Sequence, residues 1–204
     1  MKIRYLLIFL IILSLSSIFV GVKQISPFDL FSLTESQMQT ILISRLPRLF
    51  SILMAGAGLS LAGLIMQQLS QNKFVSPTTA GTMDSASLGV LVTILLFPEV
   101  GLFQRLMIAF AFALASSLLF MRILDRVKYK DAILIPLVGL IFGNIIGSIT
   151  TFFAYKHDLI QTVNVWLHGD FSVVLKGRYE MLYLTIPLII LAYIYADRFT
   201  LAGL

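Results

Sequence analysis

RLPRLFSILMAGAGLSLAG, residues Arg45 to Gly63, opens an apolar run with two arginines around a proline. Proline suits the first position of a helix, where its missing N–H costs nothing, and it disfavours helical conformation in the residue before it. This places Pro47 as the first helical residue, leaves Leu46 outside, and sets Arg45 and Arg48 at the mouth of a membrane helix. Positive charge at a helix start opposes the macrodipole. The side of the membrane these arginines face therefore decides what they do.

The rest of the chain supports a membrane reading. Of 204 residues, 58% are hydrophobic and only 12% charged, with a mean hydropathy of +0.96. One soluble core of this length could not hide so much apolar surface. The net charge of +5 would suggest nucleic acid in a soluble chain, but in a polytopic one basic residues gather in loops and fix orientation. The absence of cysteine excludes disulfides and thiolate metal sites.

Six stretches approach the 20 or so residues needed to span a bilayer: about Tyr5–Val22, Pro47–Leu69, Ala80–Phe97, Leu106–Leu124, Ile133–Ala154 and Met181–Ala196. The expected fold is all-α, a polytopic transmembrane helical bundle forming one domain over residues 1–204. The first stretch exceeds a signal-peptide core and no small-residue cleavage site follows it, so it reads as an uncleaved helix. With the N-terminus in the cytoplasm, eight of the fifteen basic residues fall inside, four of them packed into RILDRVKYKD, Arg122–Asp131. Arg45 and Arg48 then face outward.

Two helices carry small residues at three-to-four spacing: Gly56, Ser60 and Gly63 in one, and Gly139, Gly143 and Gly147 in the other. Such stripes let helix backbones approach closely. Tight packing is the favoured role, and a smooth wall beside a substrate path remains open. Asn144, beside the second stripe, needs a partner or a wet cavity at membrane depth.

MQQLSQNKFVSPTTAGTMDSASLG, Met66–Gly89, joins the second and third spans. The apolar run beyond Asp84 is too short to cross alone, so this carboxylate belongs to the helical segment, near its cytoplasmic boundary. Helix capping and a transport role are both open to it. No enzymatic constellation emerges. His157, Asp158, His168 and Asp170 share one outer loop without a recognised metal-ligand spacing, so no metal site is assigned. No Walker-type phosphate loop occurs, and any ATP must be handled by another chain.

RLPR before a Gly/Ala-rich helix, GLIMQQLSQNKFVSPTTAG (Gly63–Gly81), a glycine-rich fifth helix and VWLHGDFS (Val165–Ser172) together resemble the FecCD-type permeases of iron-siderophore and cobalamin ABC importers. VSPTTAGTMD looks most like the branch serving catecholate siderophores such as petrobactin. Lys73 departs from the family pattern, which usually has proline after Asn72. Family members have about ten helices, whereas this chain stops at Phe199–Leu204, where the cytoplasmic coupling helix should begin, and so reads as the N-terminal two thirds of a permease.

The resemblance implies a bacterial cytoplasmic-membrane permease subunit that moves ferric siderophore inward, with no cofactor and no enzymatic activity of its own. It implies as partners a second permease chain, two ATPase subunits and an extracytoplasmic binding lipoprotein, whose glutamates would pair with Arg45 and Arg48. Cobalamin or haem are alternative substrates. A non-transporting packing or assembly protein, or an ATP-independent carrier, are rival classes. The carrier would normally show inverted repeats and ionisable residues deep in the bundle; apart from Asp84 near one edge, neither is evident in the sequence.

Overall fold

A computed structural model describes residues 3–21, 34–69, 72–73, 75–126, 134–167, 169, 171, 174–177 and 179–195. Among them the chain is helical, with no strand. The elements are α1 (Ile3–Phe19), α2 (Glu35–Thr40), a π turn (Ile41–Arg45), α3 (Leu46–Leu69), α4 (Thr82–Leu96) and α5 (Leu102–Arg126). They are followed by α6 (Leu134–Lys156), α7 (Ile160–Leu167), a 3-10 turn (Glu180–Leu184) and α8 (Thr185–Ile194). Among the described residues, three helical runs are long and apolar enough to cross a membrane: Glu35–Gln68, Leu102–Arg126 and Leu134–Lys156. Three shorter apolar helices, Ile3–Phe19, Thr82–Leu96 and Glu180–Ile194, complete the six apolar segments of a polytopic helical bundle.

The largest departure from the sequence reading lies at Pro47. The helix does not begin there; it starts at Glu35 and continues through the π turn into α3. Thr34 opens it, its N–H donating to Gln37 Oε1 at 2.9 Å, the reciprocal half of a T-x-x-Q capping box. Proline inside a helix removes one rung and crowds the carbonyl four residues back, at a cost of about 3 kcal/mol. Two features relieve it. The turn ahead of Pro47 widens, with the Leu46 N–H reaching back five residues to the Ile41 carbonyl. The carbonyl that Pro47 leaves vacant, that of Ile43, accepts the backbone N–H of Lys176 at 2.9 Å. Ser51 adds a hydroxyl bond to the Pro47 carbonyl at 2.8 Å. Such re-satisfaction by neighbouring segments is what makes proline tolerable at membrane depth.

Two compact units divide the chain, residues 1–58 with 170–190 and residues 59–169 with 191–204. In the first, α1 meets the π turn and Gly58 lies against Ile189 of α8. In the second, α4 is the central element, packed against α5, α6 and α7. A Cβ on Gly89 of α4 would stand only 2.8 Å from the Ala109 Cα of α5, so glycine sets the distance of that crossing. Leu91, Ala154 and Val163 form a buried cluster where α4, α6 and α7 meet.

Candidate functional site

The segment between α3 and α4 positions the site. Ser76, Pro77, Thr78 and Thr79 build a hydroxyl-stitched turn. The Thr79 N–H donates to the Ser76 carbonyl at 3.1 Å and that of Gly81 to the Thr78 carbonyl at 3.0 Å. The Ser76 N–H donates to Thr79 Oγ1 at 3.0 Å, and the Thr82 hydroxyl reaches the Pro77 carbonyl at 3.2 Å. Side chains thus satisfy backbone groups that no regular helix serves, as irregular backbone in a membrane requires. Gly81, at φ +67, turns the chain into α4, a left-handed conformation that glycine adopts at no steric cost.

This turn runs alongside α6. A Cβ on Gly139 would lie 2.0 Å from the Thr79 carbonyl oxygen, and one on Gly81 would lie 3.1 Å from the Gly143 Cα. α4 consequently starts deep within the unit, and its first turn brings Asp84 against the α6 backbone. Cβ atoms on Gly143 and Gly147 would meet Asp84 Oδ2 at 2.8 Å and Oδ1 at 3.1 Å. These glycines are the tenth and fourteenth residues of the 23-residue α6. Asp84 therefore lies against the middle of α6, whereas the sequence suggests a position toward the end of a helical segment. The reason is the turn, which descends beside α6 when a loop crossing over the helix ends would have held the carboxylate at the edge. As the third residue of α4, Asp84 also sits in the positive field of that helix N-terminus, while Gly81 occupies the capping position.

Three cavities share Asp84. One of about 640 Å³ runs along α6 past Asn144, Ser148, Thr151 and Tyr155. A second of about 290 Å³ follows the hydroxyl turn past Ser76, Thr79, Gly139 and Gly143. A third of about 170 Å³ reaches Ser87, Thr150, Ile160 and Asn164, so that α7 forms part of its wall. Asn144, Ser148, Thr151 and Tyr155 recur at helical spacing and all are exposed. A polar stripe on an otherwise apolar helix is costly against lipid; it fits a wet path or a protein neighbour. At the α7 end, the Arg105 guanidinium lies over the Trp166 ring, 5.3 Å from its centroid.

The other sequence candidates divide. The α3 stripe is less closely approached among the described residues: a Cβ on Gly56 would meet nothing within 4 Å, Ser60 is exposed, and a Cβ on the buried Gly63 would meet Pro77 at an ordinary 3.5 Å. Arg45, expected at an exposed rim, is 7% exposed, and its Nη1 donates to the Ile18 carbonyl at the end of α1. Arg48 is exposed. His157 and Asp158 are exposed on the turn after α6. His168, Asp170 and Phe199–Leu204 lie outside the described residues, as does the whole stretch from Val127 to Asp131. Sequence reading missed the hydroxyl turn as a structural unit, although S-P-T-T before glycine is a turn signal, and missed the α6 polar stripe beyond Asn144.

A model of the FecCD transport family matches residues 6–204. The chain is 61% identical over 204 residues to the petrobactin import system permease protein YclN of Bacillus subtilis (strain 168), covering 100% of this chain and 65% of that protein. It is 38% identical over 189 residues to the ferric-anguibactin transport system permease protein FatD of Vibrio anguillarum, covering 93% of this chain and 60% of that one. Its fold is similar to that of a solved ABC transporter assigned to the metal-chelate type, in an inward-facing conformation, with a TM-score of 0.73 at 22% identity. That likeness covers 97% of this chain and 63% of the solved one. The chain thus spans less than two thirds of the length of each of these relatives. Within that span the family's pattern is continuous from the first apolar helix to the last residue, and the chain belongs to the FecCD transport family.

Proposed function

We propose that this chain belongs to the transmembrane permease subunit of an ABC importer that carries ferric siderophore inward, with ATP hydrolysed on separate subunits. The observation that carries the reading is the Asp84 groove: a carboxylate, an amide and a row of hydroxyls gathered at mid-helix depth around three adjoining cavities. A chelate rich in oxygen donors would find hydrogen-bonding partners there in place of water. The α6 polar stripe would face the path and a second permease chain. Family membership and the 61% identity to a petrobactin permease favour a siderophore over cobalamin, since the likeness to a vitamin B12 permease of Vibrio cholerae is only 30%. A packing protein without transport would have no use for polar groups gathered along the middle of an apolar helix.

In this reading the N-terminus and Arg126 face the cytoplasm. Arg48 faces outward, where a planar, permanently charged guanidinium suits the carboxylates of an extracytoplasmic binding protein. The test is uptake by the full-length importer, with its ATPase and binding protein, in cells lacking other siderophore permeases. Radiolabelled ferric petrobactin should accumulate and cobalamin should not. Cobalamin uptake without ferric petrobactin uptake would reverse the assignment. Impermeant thiol reagents should label cysteine at Arg48 from outside and cysteine at Arg126 only from inside.

A further inference from the structure

We propose that Arg45 is an anchor that holds the end of α1 to the π turn, and that Arg48 alone of the R-L-P-R pair serves as the docking cation; the second half of this rests on the docking reading above. The last four carbonyls of a helix lack partners within it and carry the negative end of its dipole. Ile18 supplies one of these carbonyls, one residue before the end of α1, and Arg45 Nη1 donates to it. The fit is close, for a Cβ on Gly21 would stand 3.2 Å from Arg45 Nη2 and 3.4 Å from Cζ. Glycine at 21 leaves room for the guanidinium.

Burial decides the division of labour. A buried charge needs its donors satisfied inside the protein, and at 7% exposure Arg45 has little surface to offer a docking carboxylate. Arg48, one turn further along α3, is exposed. The same π turn is tied a second time, through the Ile43 carbonyl and the Lys176 N–H. The irregularity that Pro47 imposes thus joins three chain segments: the end of α1, the start of α3 and the stretch around Lys176. Arg45 is the side-chain member of that junction.

The test uses the full-length importer in lipid nanodiscs, with hydrogen exchange of residues 16–21 as the first readout. Arg45→Met should speed exchange there by about tenfold, as expected for loss of one charge-assisted hydrogen bond. Arg45→Lys should recover most of the protection, and Arg48→Gln should change nothing. Gly21→Val, which displaces the guanidinium while retaining it, should reproduce the faster exchange and stands in if Arg45→Met fails to accumulate. Unchanged exchange in both Arg45→Met and Gly21→Val overturns the anchor. The second readout is affinity for the importer's own binding protein. Arg48→Gln should weaken it by about fivefold, the scale of one rim charge pair, with Gly21→Val near wild type. Equal weakening by Arg45→Met and Arg48→Gln with exchange unaltered returns Arg45 to docking. Altered exchange with affinity unchanged in every variant keeps the anchor and removes the docking reading.

Discussion

The stripes on α3 and α6 share one sequence pattern and have different surroundings. On α6 each glycine faces something that a side chain would strike: the Thr79 carbonyl at Gly139 and the Asp84 carboxylate at Gly143 and Gly147. On α3, a Cβ on Gly56 would meet nothing within 4 Å among the described residues, and one on Gly63 would make ordinary contact with Pro77. Spacing reports that a helix can be approached closely. Whether it is approached depends on what the fold brings there, and at α6 that is a polar turn and a short helix start, not another long helix.

This contrast orders the expected effects of single methyl groups. Gly139→Ala is the most damaging, because its methyl would overlap a backbone carbonyl that cannot swing aside; a loss of about 3 kcal/mol, the upper end of ordinary overpacking, is expected. Thermal melts in detergent and the level of folded protein in membranes would measure it. Near-normal accumulation would mean that the turn does not lie on α6. Gly143→Ala comes next, at about 1 to 2 kcal/mol, because it meets a side chain able to rotate. Here the double variant Gly143→Ala with Asp84→Ala should recover much of the loss, since residues in contact are not additive. Strict additivity would separate Asp84 from the stripe. Gly63→Ala should fall within about 0.5 kcal/mol of the parent, as most substitutions away from tight contacts do. Gly56→Ala should be neutral or slightly stabilising, because alanine is the better helix former by up to about 1 kcal/mol. A severe defect at Gly56 would reveal a partner helix on that face.

The same contrast explains what was legible in the sequence. Six apolar segments could be read from hydropathy, since the bilayer fixes their length, and Asp84 could be assigned to a helix because the apolar run after it was short. Its depth could not be read. That depends on Thr79 lying beside Gly139, sixty residues away in sequence, and no local signal encodes such a contact. Pro47 misled for a related reason. Proline normally marks a helix start, but the donor that satisfies the vacated Ile43 carbonyl comes from Lys176, far along the chain. The true start carried its own signal, the T-x-x-Q of Thr34 to Gln37, overlooked beside the stronger proline cue. Arg45 and Arg48 read as a matched pair by spacing, while the structure buries one and exposes the other.

The polar stripe of α6 is expected to border a water-filled path that meets Asp84. The most direct measurement places single cysteines along α6, at Leu140, Asn144, Ile145, Ser148, Ile149 and Thr151, in the otherwise cysteine-free chain within an assembled importer. A small water-soluble thiol reagent then reports which positions meet water. Asn144, Ser148 and Thr151 should react, while Ile145 and Ile149, exposed on other faces of the same helix, should not. Added ferric siderophore, with the binding protein present, should slow the reaction at Asn144. Reactivity without helical periodicity, or silence at all three polar positions, would contradict the account.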